Sequence, residues 1–206
     1  MHPNPSFRTQ DRDRILAFAR GRGFGTLAVA EDGKPPLMSH VPFVIEAEGA
    51  LYVDMHLVRS NPILPLLEDQ QPARLAVSGP DSYISPDWYG AADQVPTWNY
   101  VAVHLIGRLE RQPQDSLRDV IDRQTAAFET RLYPKKPWTA DKMDGSALDR
   151  MMRMIVPVRL WIDELDGTWK LGQNKPDGAR VAAANEAENA AIGAETALLA
   201  QWMRDV

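Results

Sequence analysis

The segment of this sequence whose residue types and order best suit chemistry is Arg59-Ser60-Asn61-Pro62. Asparagine caps helices by accepting from backbone N–H groups just ahead of it, and the fixed φ of proline suits a first helical turn. A short helix opening there is expected to run through Leu67, presenting unpaired N–H groups and a partial positive charge. Arg59 beside it can fork onto an oxyanion, and Ser60 adds a hydroxyl. A strand ending in a cation at a helix N-terminus is a competent phosphate cradle. The same four residues also make an ordinary strand-to-helix turn with a surface arginine, and residue types alone leave both open.

His40 and His56 fall late in neighbouring expected strands, where they could flank one pocket. No carboxylate or third histidine stands at ligand spacing, so no metal site is expected. They remain candidate donors to a polar ring edge or a phosphate. His104, mid-strand, reads as a satisfied barrel histidine, and His2 as part of a mobile terminus. Val95-Pro96-Thr97-Trp98-Asn99-Tyr100 and Gly167-Thr168-Trp169-Lys170-Leu171-Gly172-Gln173-Asn174-Lys175 each set an aromatic beside amides and hydroxyls at a strand end. Flat apolar walls with a few placed donors suit a planar heteroaromatic ring. Core tryptophans with polar neighbours are the plainer alternative. Glycine-rich nucleotide loops, a nucleophile elbow and paired carboxylates are all missing, and nothing pairs Asp87 or Asp93 for acid–base work.

The elements that must position these groups follow from pattern. Thr9 reads as the N-cap of a first helix with Ile15, Leu16, Phe18 and Ala19 as its apolar stripe, ended by Gly21 and Gly23. A meander follows: a strand from Phe24 to Ala30, a turn at Glu31-Asp32-Gly33-Lys34, a strand from Leu37 to Ala47, a turn at Glu48-Gly49, and a strand from Leu51 to His56. In that last strand Leu51, Val53 and Met55 alternate with Tyr52, Asp54 and His56, the pattern of one buried face. Ala73 to Ser78 is a strand, whereas Gly79 to Tyr89 is too rich in proline, glycine and aromatics for regular structure. Thr97 to Leu109 is a long strand, Leu117 to Leu132 an amphipathic helix, Ala147 to Met154 a shorter one, and Ile155 to Glu164 a final strand. An alanine-rich helical tail runs from Ala182. Strands following strands, without βαβ periodicity, predict a mainly β (α+β) fold: a six-stranded antiparallel barrel with peripheral helices.

The 206 residues are 44% hydrophobic and 25% charged, which allows one domain with a sizeable core. A single domain over 1–206 is expected, with a C-terminal helical extension from about 180. A net charge of −5 and a pI near 5.4 argue against a surface-wide nucleic-acid binder. The absence of cysteine rules out disulfides and thiolate chemistry. Neither a secretory leader pattern nor a run of about 18 apolar residues is present. A cytoplasmic protein without membrane attachment is the resulting expectation.

The blocks Phe24-Gly25-Thr26-Leu27, Ser39-His40-Val41-Pro42-Phe43, His56 to Pro62, Gly79 to Tyr89, Val95 to His104 and Trp169 to Lys175 together resemble the PaiB family, FMN-binding proteins described as negative transcriptional regulators. The blocks keep the family's order and span roughly residues 1 to 185. The resemblance implies a split β-barrel of the FMN-binding type, related to pyridoxamine-phosphate oxidases and flavin reductases, with FMN held non-covalently at a homodimer interface. It implies that Ser39, His40, Val41 and Pro42, with His56, line the flavin, and that Arg59, Ser60 and Asn61 take its phosphate. Thr97, Trp98 and Asn99, with Trp169, Lys170, Gln173 and Asn174, would approach the ring. Val58, Ser60 and Gly172 depart conservatively from the family pattern. The implied function is that of a flavin-binding transcriptional regulator, with DNA as partner. The alternatives are an FMN-dependent oxidoreductase or flavin reductase acting on a small molecule, and haem in the same cleft with His40 or His56 as axial ligand.

Overall fold

The structure is a computed structural model that describes residues 1–47 and 49–206. Among these residues the strands are β1 (Arg8–Thr9), β2 (Phe24–Glu31), β3 (Lys34–Glu46), β4 (Tyr52–Val58), β5 (Gln71–Ile84), β6 (Thr97–Arg111) and β7 (Ile155–Lys170). The helices are α1 (Arg12–Arg22), α2 (Leu117–Glu129), α3 (Gly145–Met152), α4 (Asp177–Ala190) and α5 (Thr196–Arg204). The hydrogen-bonded order is β1-β7-β4-β3-β2-β5-β6, and β7 also pairs with β6, so six of the strands close a ring. Every ladder with a defined register is antiparallel. This is the mainly β split-barrel architecture the sequence predicts, with the two-residue β1 as an addition. The expected Glu48-Gly49 turn includes residue 48, which lies outside the described residues.

The chain divides into two compact units, the first comprising Met1–Ile15, Val77–His104 and Leu165–Val206, the second Leu16–Ala76 and Leu105–Glu164. In the second unit, alternate residues of each strand face a common core: Leu27 and Val29, Val41 and Phe43, Val53 and Met55, Leu105 and Leu109, Val158 and Leu160 are all buried. The β2–β3 hairpin turns at Gly33, whose φ of +68° is one that glycine adopts without strain. At Gly107 a side chain is excluded outright, since a Cβ would stand 1.7 Å from the Trp161 carbonyl oxygen.

The alternation expected for β4 fails at one residue. Asp54, placed on the solvent side by the pattern, is fully buried. The reason is tertiary: α2 lies over that face, and its Arg123 and Gln124 reach Asp54. The expected helix through Leu67 is also absent, replaced by a turn and a three-residue 3₁₀ helix, Leu64–Leu66. Pro65 supplies no N–H and cannot sit in a continuing α-helix.

In the first unit, Thr9 belongs to β1, paired with Gly167, rather than to a helix cap. The cap role falls to Asp11, whose side chain accepts from the Arg14 N–H at 3.0 Å. Residues Gly79 to Ile84, expected to be irregular, continue β5. The Asp81 and Tyr83 N–H groups donate to the carbonyls of Ala194 and Ile192 at 2.9 and 3.0 Å, so this stretch is satisfied as a strand. The helical tail is two helices, α4 and α5, separated by Ala191 in the left-handed region and Gly193 at φ +140°. Buried Arg180 ties them, its Nε donating to the Met203 carbonyl at 2.7 Å. His2, expected to be mobile, is held instead: its ring packs on Phe7 at 4.8 Å and its Nδ1 accepts from the Asn4 N–H at 3.1 Å.

Candidate functional site

β4 ends at Val58, and the backbone turns at once, with the Asn61 N–H bonded to the Val58 carbonyl at 2.8 Å. Asn61 shapes this turn with every polar atom of its side chain. Its Oδ1 accepts from the Ile63 N–H at 3.0 Å, and its Nδ2 donates to Ser39 Oγ on β3 at 2.8 Å. The capping expected of Asn61 is therefore present as an Asx-type turn, but no α-helix follows and no helix dipole adds to the site.

Arg59 is held from three sides. Its Nε donates to the Arg153 carbonyl at 2.7 Å, and its Nη2 to Gln114 Oε1 at 3.0 Å and the Ile155 carbonyl at 3.3 Å. Gln114 is fixed in turn by donating to the Met152 and Ile155 carbonyls at 3.2 and 3.1 Å. A guanidinium held this way keeps its direction, with Nη1 uncommitted to these oxygens. It borders an open pocket of about 400 Å³ lined by Ser60, Asn61, Pro62, Arg111 and Val156 among others, with no acidic side chain in the lining. Arg111 and Gln114 escape sequence reasoning: one ends β6 and the other sits in a short 3₁₀ turn before α2, and only folding brings them to Arg59.

The other expected residues of the second unit divide by face. Val41 is buried in the core and Ser39, on the same face of β3, meets Asn61, while exposed His40 on the other face stacks with Phe24 at 6.4 Å. His56 is turned to α2, where its Nδ1 bonds Gln124 Oε1 at 3.1 Å. Because Gln124 Nε2 donates to the Pro42 and Asp54 carbonyls, Oε1 is the acceptor and His56 Nδ1 carries the proton. Burial holds the His56 imidazole below its ordinary value, opposed by this hydrogen bond.

The remaining expected residues lie in the first unit, where they bond chiefly to one another. Lys170 Nζ donates to Thr97 Oγ1 at 2.5 Å and to the Trp98 carbonyl at 2.7 Å. Burial, then the charge of Lys175, pushes Lys170 below its ordinary value. Gln173 accepts from the Leu171 N–H and donates to the Trp169 and Ser6 carbonyls at 2.7 and 3.0 Å. Asn99 is buried against Met203, buried Trp169 stacks under Arg14 at 4.6 Å, and Asn174 is exposed. Half-exposed Trp98 meets Tyr83, which also packs on Trp88. Trp98 and Tyr100 line a second cavity of about 310 Å³ with Asp81 and Ser78.

Among the described residues, no three His, Cys, Asp or Glu side chains gather as metal ligands, and no helix is long and apolar enough to cross a membrane.

A closed ring of antiparallel strands, flanked by helices and bearing an acid-free cationic pocket where β4 ends, defines a split-barrel protein. Residues 1–164 match the family described as "Putative FMN-binding domain", and the chain belongs to that family. It is 28% identical over 170 residues to the Bacillus subtilis "Protease synthase and sporulation protein PAI 2", covering 82% of this chain and 80% of that one. The PaiB resemblance read from the sequence blocks is thereby confirmed. The fold is shared with an FAD- and haem-binding protein of Mycobacterium smegmatis (TM-score 0.55, 19% identity, 79% of this chain and 73% of that one). It is shared equally with the flavocytochrome Anf3 of Azotobacter vinelandii (TM-score 0.55, 19% identity, 82% and 72%).

Proposed function

We propose that this protein binds FMN non-covalently through its phosphate at the turn after β4, in the manner the PaiB resemblance implies. The observation that carries this reading is Arg59: a guanidinium fixed by Arg153, Gln114 and Ile155, facing a pocket of about 400 Å³ with no carboxylate in its lining. The donor set fits a phosphate. Arg59 supplies charge and directed N–H, Ser60 a hydroxyl, and Asn61 the turn that holds both against β3. A bound flavin would bring reversible electron transfer, which no side chain of this chain supplies. The visible spectrum of freshly purified protein, followed by FMN titration of the apo form, tests the reading. Micromolar or tighter binding that weakens about a hundredfold in Arg59→Ala is expected, the loss of one charged phosphate contact. Unchanged affinity in that variant would refute the site.

The proposed assembly is a homodimer. Phe24, Met38 and Val58, on β2, β3 and β4, are large apolar side chains more than half exposed, and a second copy would cover them. Light scattering should give twice the 23.0 kDa chain mass. The proposed role is regulatory: the PaiB resemblance and the sporulation name of the Bacillus subtilis relative support it, while the −5 charge argues against it. A gel shift on the gene's own upstream region, with and without FMN, decides it. No sequence-specific shift would sink direct DNA binding.

One observation favours an oxidoreductase as the second reading: the cavity beside Trp98, Tyr100 and Asp81 in the first unit could take a small substrate. Bleaching of bound flavin by NADH or NADPH without oxygen would support nicotinamide-dependent reduction, and no bleaching would count against it. Haem, which the Mycobacterium smegmatis relative is named for, would give Arg59 no phosphomonoester to hold.

A further inference from the structure

We propose that Arg111 is the second cation of the β4-turn pocket, so that Arg59 and Arg111 together form a site matched to a phosphomonoester dianion. This inference rests on the FMN reading above. A phosphomonoester carries a charge of about −1.5 to −2 at neutral pH on three acceptor oxygens. Arg59 alone brings one positive charge, and two of its three nitrogens already donate to Arg153, Ile155 and Gln114. Those partners fix its direction, but they are carbonyl and amide oxygens that draw on the same charge. A second cation would match the charge that Arg59 leaves unbalanced, and the lining holds one: Arg111, the last residue of β6.

Three features set Arg111 apart from an ordinary solvated arginine. First, it lines the same pocket as Arg59, Ser60 and Asn61, and no aspartate or glutamate joins them. Second, its sequence neighbour Glu110 is occupied by neutral donors, accepting from Gln70 at 2.6 Å, Gln112 at 2.7 Å and the Trp161 indole at 2.8 Å. Third, no hydrogen bond or ion pair engages the Arg111 guanidinium among the described residues, whereas Arg118, Arg123, Arg159, Arg180 and Arg204 each hold a carboxylate. An unpaired cation in the same pocket as a fixed one suits capture: Arg59 sets the position, and Arg111 takes the oxygens that remain.

The test titrates FMN, riboflavin and inorganic phosphate separately into the full-length apo protein, as wild type, Arg59→Ala, Arg111→Ala and Arg111→Lys. Protein fluorescence or absorbance reads the flavins, and phosphorus NMR linewidth reads phosphate. Arg111→Ala should weaken FMN and phosphate about tenfold and leave riboflavin unchanged, with Arg111→Lys restoring part of the loss. Phosphate binding that depends on Arg111 in a protein that takes no FMN would uphold the two-arginine site and remove the flavin reading. Wild-type affinity for FMN and phosphate in Arg111→Ala, with loss only in Arg59→Ala, would overturn the second cation and leave the flavin reading standing. A wild-type protein that binds neither ligand would overturn both.

Discussion

The second unit carries two pairs of arginines with opposite fates. Arg123 and Arg159 converge on Asp54, which is fully buried: Arg159 bonds both carboxylate oxygens, at 2.7 and 2.9 Å, and Arg123 bonds one at 2.7 Å. Burial works against the Arg123 charge, yet its bonds to Asp54 and Asp119 outweigh burial and hold it above its ordinary value. Arg123 also reaches Glu46 at 2.8 Å, and Arg159 lies 3.8 Å over the Tyr52 ring. Arg59 and Arg111, by contrast, border a pocket lined by no carboxylate. The lesson is that an arginine's role is set by what closes around it. Where an acid was placed between two arginines, they dock α2 on the sheet. Where none was placed, the charge stays open to water and to the proposed phosphate.

The largest effect should come from breaking the compensated pair. Asp54→Asn takes the carboxylate partner from Arg159 and leaves Arg123 only Glu46 and Asp119, and a cost of about 3 kcal/mol is expected in urea unfolding. A loss under about 1 kcal/mol would show that the ion cluster does not hold α2. The uncompensated pair should answer in the reverse sense: Arg59→Ala gives up three exposed hydrogen bonds, for a cost of about 1 kcal/mol, while FMN affinity falls. If Arg59→Ala unfolded the protein as readily as Asp54→Asn does, the contrast between the pairs would collapse.

A smaller effect belongs to Gln124, which ties α2 to β3 and β4 through the Pro42 and Asp54 carbonyls and His56. Gln124→Ala is expected to cost about 1–2 kcal/mol, the loss of buried neutral hydrogen bonds. The smallest effect is a pH dependence at the same contact. His56 in the folded protein lies below 6.5, so the unfolded chain takes up a proton first as pH falls. Its contribution is complete above 6.5 and is lost as pH drops from there through the lower folded value. Unfolding followed from pH 8 to 5 should show that loss, and His56→Gln should flatten it; an unchanged slope would remove His56 from the account. Glu110 gives a separate, more acidic window. Burial opposes its ionisation, but the hydrogen bonds from Gln70, Trp161 and Gln112 outweigh burial and hold it below 4.5, so its contribution fades only beneath that value.

Alternation made the strands readable: Leu27 and Val29, Val41 and Phe43, Val53 and Met55 declare a buried face in the sequence, and the ring of strands follows. Asp54 was misplaced because the opposite face of β4 is covered by a helix far along the chain, which no local pattern reports. The helix expected after Asn61 is a different kind of failure, since Pro65 stands in plain view inside it and argues against a continuing helix. Pro80 misled in the other direction, because a proline in β5 is tolerated where its neighbours Asp81 and Tyr83 bond to residues 192–194. At the candidate site, the order of Arg59, Ser60 and Asn61 left a phosphate cradle and an ordinary surface turn both open, and the PaiB resemblance chose between them. Gln114 and Arg111 were not legible at all, because a polar side chain in a turn and a charge at a strand end have no signature until the strands close and bring them beside Arg59.

The most direct test of the central claim compares FMN with riboflavin on the wild-type apo protein, since the two ligands differ only by the phosphate that the β4 turn is argued to hold. FMN should bind at micromolar or tighter concentration, and riboflavin more than a hundredfold more weakly, a gap that narrows about a hundredfold in Arg59→Ala. Equal affinity for the two ligands would contradict the account, because an uncompensated pair of arginines would then have no anion to receive.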